Sequence, residues 1–588
     1  MLAKRTSMGK DKNRGIGIRI VIVELFFLSL MLILGVNAVK IQIFDSDDLA
    51  RKAEREYTGT VQIQGKRGEI LDRNLKRLGT TIDALSLAVF PKHLENPAKD
   101  LRSVAAVLGI DPVKLEKKVP LDKNFVWIKR KISPTEADAL KALKIRGLSF
   151  EKDVVRFYPN RTLAAQVIGF TGSDSKGLEG LEYEYDDVLK GKQERFTITK
   201  DAAGRRLDAK NNVSETLSGG GLVLTIDRTI QYISEAAIKD AVVRFKAKSA
   251  MAVVMRPETG EILSMALYPE FNPNAYSEFT RERWRNRTVT DPFEPGSVMK
   301  VFLAAAAMEK GYCTPKSIFF CENGKYRVGS YTVHDTHDYG WLTLGEIIQY
   351  SSNIGAVKIS QTTGQQGLYE ALTGFGFGSR TEICSPGETA GTLSPFRRWK
   401  AIDTAAISFG QGMSVSAVQL AAAFSAIAND GVLMRPFLVK KTLFNTGETD
   451  QVFEPQRVRQ VISPSTAKKI RQMMRSVVTR EGTGFNAAIP GYSVCGKTGT
   501  AQKVADDGKG YSKNQFTAVF AGFAPENRPE LAVVVVVDEP RGSHYGGVVA
   551  APAFKSIVAE SFHYLNIPPD VGPDPVVDQV LAVVSDGV

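Results

Sequence analysis

The chain has 588 residues, 43% of them hydrophobic and 24% charged, which excludes a disordered protein and leaves room for two to four domains. Four cysteines are too few for a disulfide-built scaffold. Part of the net charge of +12 sits in the first nineteen residues, where Lys4, Arg5, Lys10, Lys12, Arg14 and Arg19 face Asp11 alone. No nucleic-acid motif follows, so this arm matches anionic lipid headgroups rather than a nucleic acid.

The arm, 1–19, precedes the apolar run IVIVELFFLSLMLILGVNAV, Ile20 to Val39. Twenty helical residues extend about 30 Å, the hydrocarbon thickness of a bilayer, so a single transmembrane helix is predicted over 20–39. The cationic flank stays in the cytoplasm and everything after Lys40 is extracytoplasmic. A cleaved signal peptide is the alternative, since Val36 and Ala38 suit a signal peptidase; the run is long for one, and the uncleaved anchor is the expectation. Glu24, about one turn inside, either pairs with another membrane protein or reaches the interface near Arg19.

Residues 41–58 have the spacing and charge of a helical stalk. The unit 40–213 mixes short β-rich runs, turns and charged helices. SETLSGGG, 214–221, has the composition of a flexible linker. A larger unit spans 222–565, and the Pro-rich tail 566–588 is expected to pack poorly. Within the larger unit, MAVVM and EILSMAL flank Pro257–Gly260, and FTAVFAGFAP and LAVVVVVDE flank Glu526–Pro529; both read as hairpins. Their unbroken apolar runs suit strands buried on both faces. The predicted class is α+β, an antiparallel sheet flanked by helices.

Between the hairpins lies DPFEPGSVMKVFLAAAAMEKG, 291–311. Val301, Phe302, Leu303, four alanines and Met308 leave no polar face, so a buried helix is predicted. Pro295 and Gly296 set its start, which puts Ser297 at the positive end of the helix, with Lys300 on the same face. An amine in apolar surroundings loses its proton more readily and can serve as a base, so the two read as a nucleophile and its activator. The tetrapeptide alone carries nothing, since S-x-x-K also occurs at Ser7, Ser149, Ser173 and Ser465. Its companions lift it. YSSNIG offers Ser351 and Ser352 as hydroxyls and Asn353 as an amide. CGKTGTA offers Lys497 and Thr498 to bind a carboxylate, with Gly499 letting a peptide lie against the backbone. K-T-G occurs once in the chain.

In these three motifs and their order the chain resembles the serine penicillin-recognising acyltransferases, and within them the class B penicillin-binding proteins, monofunctional peptidoglycan D,D-transpeptidases. RGEILDRN (67–74), RFYPNRTLAAQVIGFTG (156–172) and GLEGLEYEYDDVLKG (177–191) resemble that class's N-terminal pedestal, of the dimerisation type. NRTVTDPFEPGS and SFGQGMSVS resemble its division-specific subtype. The resemblance covers roughly residues 20–565. It implies a penicillin-binding transpeptidase fold on an elongated pedestal, with Ser297 acylated and Lys300 its general base. Ser351 would shuttle the proton to the departing D-alanine, and Asn353 would orient the donor stem peptide. Ser352, Thr498, Gly499 and Thr500 would contact substrate, Lys497 and Thr498 would hold its terminal carboxylate, and the backbone N–H groups of Ser297 and Thr500 would form the oxyanion hole. No metal or organic cofactor is implied. The implied partners are the stem peptides of lipid II-derived glycan strands, β-lactams, a SEDS-type glycan polymerase and other divisome membrane proteins, at the cytoplasmic membrane with the bulk of the chain in the periplasm. Leu75 stands where the family usually has glycine, which leaves the shape of that turn open.

Other readings remain beside this one: an elongation- or spore-type class B transpeptidase, a β-lactamase or β-lactam sensor, or mainly a divisome scaffold. VHDTHDYG (His334, Asp335, His337, Asp338) invites a metal site, but it is turn-rich and lacks a third helical ligand. A Ser-His-Asp hydrolase lacks its G-x-S-x-G elbow. Cys313 and Cys321 are open to a bridge or to free thiols. Strand alternation places Cys495 on the Lys497 side, as a small buried thiol.

Overall fold

The computed structural model describes residues 10–199, 216–505 and 510–572. Outside them lie 1–9 of the basic arm, 200–213 at the end of the predicted pedestal, 214–215 of the predicted linker and 573–588 of the tail. The chain divides into two units: the residues up to Gly65 with Lys192–Leu217, and the remainder.

In the first unit, Ile16–Phe44 forms one helix long and apolar enough to cross a membrane, with the span free of contacts that would bury it. It includes the predicted 20–39. A charged helix, Ser46–Tyr57, follows, and then an antiparallel ribbon that pairs Thr58–Gln64 with Gln193–Thr199.

The second unit is organised by two sheets. The first has five antiparallel strands in the order Ile262–Tyr268, Ser249–Met255, Leu531–Asp538, Tyr511–Ala524, Cys495–Val504. Both predicted hairpins are present. The run LAVVVVVD is apolar throughout because both faces are covered. Ala532, Val534 and Val536 pack with helix Ala417–Ala428, whereas Leu531, Val533, Val535 and Val537 pack with helices Arg228–Phe245 and Ala551–Leu565. The predicted helix is Lys300–Glu309, buried from Lys300 to Met308. Burying its Phe302 alone is worth about 2–3 kcal/mol, and the ring meets Phe375, Phe377 and Phe424 edge to face.

The second sheet crosses the predicted border at 214–221. Gly221–Leu224 pairs in parallel with Ile70–Leu71 and antiparallel with Val439–Leu443, within a seven-stranded sheet that also holds Arg77–Val89, Val126–Ile132 and Leu148–Phe157. The expectation of a flexible joint therefore fails at its described glycines. Gly219 N–H donates to the Lys66 carbonyl at 2.8 Å and Gly220 N–H to that of Val188 at 2.9 Å. A Cβ on Gly219 would lie 1.9 Å from the Leu189 carbonyl oxygen, so glycine is there for close approach rather than mobility.

The three pedestal segments quoted above converge on one buried charge cluster. Arg67 Nε donates to Glu182 Oε2 at 2.5 Å and Arg67 Nη1 to Asp186 at 2.6 Å. Arg156 Nε takes the other Glu182 oxygen at 2.6 Å, where Tyr158 also donates at 3.2 Å. Glu182 is 0% exposed, and both its oxygens are paired. Nearby, Asp72 accepts from Asn74 N and Lys76 N at 2.8 Å each, closing a turn in which Leu75 has φ 60°. The turn keeps the left-handed shape that glycine would favour, and leucine carries the strain.

Candidate active site

The nucleophile candidate sits on a single tight turn, Gly296–Met299, that leads into helix Lys300–Glu309. Gly296 has φ 61° and is gripped from two sides. A Cβ there would come within 3.0 Å of the Thr500 carbonyl oxygen, and a Cβ on Gly410 would come within 2.1 Å of the Gly296 oxygen. This turn therefore lies directly against strand Cys495–Val504. Ser297 is half-exposed between buried Gly296 and Val298.

Lys300 is 1% exposed. Its amine donates to the carbonyl oxygen of Ser351, to Ser351 Oγ at 3.2 Å and to Asn353 Oδ1 at 2.8 Å. Lys497, 0% exposed, donates to the same Ser351 Oγ at 2.8 Å and to the Thr498 carbonyl at 3.2 Å. The three motifs thus meet at one hydroxyl flanked by two buried amines. Burial lowers the pKa of Lys300 to about 7, with the Asp335 carboxylate opposing the shift. Burial, and then the charge of Lys300, push Lys497 well below the ordinary lysine range. Neither amine hydrogen-bonds Ser297, whose hydroxyl has no partner among the described residues.

Ser351 ends helix Leu344–Tyr350 with φ 64°, a left-handed backbone in a residue that has a Cβ. Ser352 then starts helix Asn353–Gly374. Its hydroxyl, expected among the substrate contacts, is 1% exposed; it accepts from Gly355 N at 2.9 Å and donates to Asp335 at 2.6 Å. Ser352 is a helix cap. Gly499 is buried, and a Cβ there would stand 2.7 Å from the Pro295 oxygen, so its lack of a side chain also admits the nucleophile turn. Thr498 shares a hydrogen bond of 2.9 Å with Thr483, and Thr500 Oγ1 accepts from Gly546 N at 3.1 Å. Thr500 remains half-exposed beside the turn.

Sequence reasoning misses Thr483 and the use made of Asp335. VHDTHDYG invites a metal by its letters, and Asp335 instead accepts from Ser352 Oγ, Asn353 N and Ile354 N. The His334 carbonyl accepts from Asn353 Nδ2 at 3.0 Å. No local pattern announces a cap supplied from so far along the chain. All four cysteines are free thiols; Cys495 is 0% exposed, and burial pushes its thiol well above the usual range.

Comparison with known proteins identifies the family. The family described as penicillin binding protein transpeptidase domain matches residues 250–559, and penicillin-binding protein dimerisation domain matches 62–224. Stage V sporulation protein D of Bacillus subtilis is 36% identical over 560 residues, 94% of this chain and 86% of that protein. Peptidoglycan D,D-transpeptidase FtsI of Escherichia coli is 32% identical over 551 residues, 92% of this chain and 91% of that protein. A crystal structure of penicillin binding protein 3 from Mycobacterium tuberculosis complexed with aztreonam superposes with a TM-score of 0.68 at 30% identity, covering 87% of this chain and 100% of that one.

Proposed function

The chain belongs to the class B penicillin-binding proteins, peptidoglycan D,D-transpeptidases, and from that premise we propose that it cross-links septal wall through an acyl group carried on Ser297. The observation that carries the site assignment is the pair of buried amines, Lys300 and Lys497, sharing the Ser351 hydroxyl beside a half-exposed serine.

In the proposed reaction, Ser297 Oγ attacks the carbonyl carbon of the D-Ala-D-Ala peptide bond as its proton passes to Lys300. With a pKa of about 7, a large share of the amine is neutral near pH 7 and it is still basic enough to accept that proton. The negative oxygen that forms on the carbonyl carbon is met by the N–H groups of Ser297 and Thr500, each worth about 3 kcal/mol of barrier. The C–N bond breaks, Ser351 passes a proton to the nitrogen and takes back the one held by Lys300, and D-alanine leaves. An amine of a second stem peptide then attacks the ester carbonyl, its proton passes to Lys300 and from there to the departing Ser297 Oγ, the C–Oγ bond breaks, and free Ser297 is restored. Lys497 and Thr498 hold the terminal carboxylate of the donor or the matching group of a β-lactam, and Asn353 orients the donor. In this reading the Ile16–Phe44 helix is the single membrane span, with the N-terminus cytoplasmic and the catalytic unit outside. Its partners in the membrane are a glycan polymerase of the SEDS type and other division proteins.

The division role rests on motif likeness, since the sporulation-named and division-named relatives are comparably similar. Labelling with fluorescent penicillin and mapping the modified peptide tests the chemistry; the adduct is expected on Ser297, and an adduct elsewhere refutes it. Replacing a cell's division transpeptidase with this chain tests the role, and loss of septation despite normal penicillin labelling refutes it.

A further inference from the structure

Lys300 depends on whatever holds Ser351 and Asn353 against it and on the anion that opposes burial there, and both lead to Asp335. Asp335 follows the hairpin that pairs Lys325–Val328 with Tyr331–His334. Its backbone N–H donates to the Gly324 carbonyl at 3.1 Å, which ties the residue to the base of that hairpin. The carboxylate collects the first donors of helix Asn353–Gly374: one oxygen takes Asn353 N and, at 3.1 Å, Ile354 N; the other takes Ser352 Oγ at 2.6 Å. An anion at this end of a helix answers both the unpaired N–H groups and the positive end of the dipole. Asn353, fixed by its backbone to Asp335, accepts from the Lys300 amine at 2.8 Å through its side chain. One residue thus separates the carboxylate from the candidate base.

Resting on that reading of Lys300, we propose that Asp335 is a positioning residue of the transpeptidase: its carboxylate clamps the Ser352–Ile354 turn so that Ser351 and Asn353 stay on the Lys300 amine, and its negative charge acts on that amine.

The charges around the pair support the second half. Lys300 faces Lys497 from the strand and Asp335 from the hairpin loop, while its hydrogen-bond acceptors, Ser351 and Asn353, are neutral. Asp335 in turn faces the buried Cys321 thiol and the Tyr339 hydroxyl, both pushed up by burial first and by Asp335 after it, with Lys358 beyond Cys321. Among these groups Asp335 is the one that favours the ammonium form of Lys300, against burial. Removing the negative charge while keeping an acceptor lets the amine shed its proton at lower pH. Removing the acceptor as well frees the turn.

The test is the second-order rate of Ser297 acylation by fluorescent penicillin across pH, on the full chain, with melting temperature read alongside. Asp335→Asn keeps an oxygen for the two backbone donors. Its plateau rate should stay within about threefold of the unaltered protein, while the acid limb of the profile moves about one pH unit lower. Asp335→Ala should in addition lose about ten- to a hundredfold on the plateau, because Ser351 and Asn353 are no longer held in place. Should Asp335→Asn fail to fold, Asp335→Ser, a capping residue without charge, replaces it. A merely structural carboxylate would lower the melting temperature and leave the limb where it was; an unmoved limb overturns the proposal. A protein with no adduct on Ser297 at any pH refutes instead the reading of the site on which it rests.

Discussion

Two clusters of buried charge sit in the second unit, and they are built on opposite plans. Around Glu182, each carboxylate oxygen meets a guanidinium, Arg67 or Arg156, and Asp186 completes Arg67. Around Ser351, two ammonium-capable side chains, Lys300 and Lys497, converge on a neutral hydroxyl, with one carboxylate, Asp335, a residue away. The first is a matched set in which each buried charge lies against its counter-charge. The second is short of anions, and burial brings Lys300 to about 7, where proton transfer is useful, while pushing Lys497 well below the ordinary lysine range. Desolvation costs several kcal/mol per ion in either place; pairing offsets it in one, and release of a proton relieves it in the other.

The largest expected effect breaks the catalytic side outright. Ser297→Ala should carry no covalent penicillin label at all, read by fluorescence on a denaturing gel, with an unchanged melting temperature. Lys300→Met should lower the acylation rate by about 10²- to 10⁴-fold. It should also leave the protein at least as stable, because an apolar chain replaces a buried amine. A drop in melting temperature there would refute the contrast. Glu182→Ala should do the reverse. It strands the buried Arg156 guanidinium, leaves Arg67 with Asp186 alone, and should cost about 3–5 kcal/mol of stability, measured by thermal unfolding in detergent, while molecules that remain folded still acylate. The unaltered protein should acylate faster as pH rises through about 7, where Lys300 loses its proton. Smallest is Leu75→Gly, expected to gain about 1 kcal/mol by relieving a left-handed leucine without touching either cluster.

Much of the catalytic side is legible in the sequence because its signals are local. The start of the Lys300 helix, the two hairpins and the K-T-G strand each announce themselves within a dozen residues through turn chemistry and apolar periodicity. What escapes is non-local. The pairing of Gly221–Leu224 with Ile70–Leu71 joins segments far apart in the chain, and nothing in SETLSGGG distinguishes glycines chosen for close approach from glycines chosen for freedom. Ser352 and Ser351 look alike as letters. One caps a helix while the other, with its left-handed backbone, turns its hydroxyl to the amines, and that difference is set by Asp335 from a separate hairpin. The motif likewise does not show that the Pro295 carbonyl packs against Gly499.

The doubly laced strand at Gly221–Leu224 has a practical consequence for anyone building on this scaffold. A reporter or affinity handle spliced between Gly219 and Gly221 would have to pry open both neighbouring ladders at once, one to Ile70–Leu71 and one to Val439–Leu443. What reads on paper as the convenient seam for cutting and pasting is one of the least forgiving places to open the polypeptide.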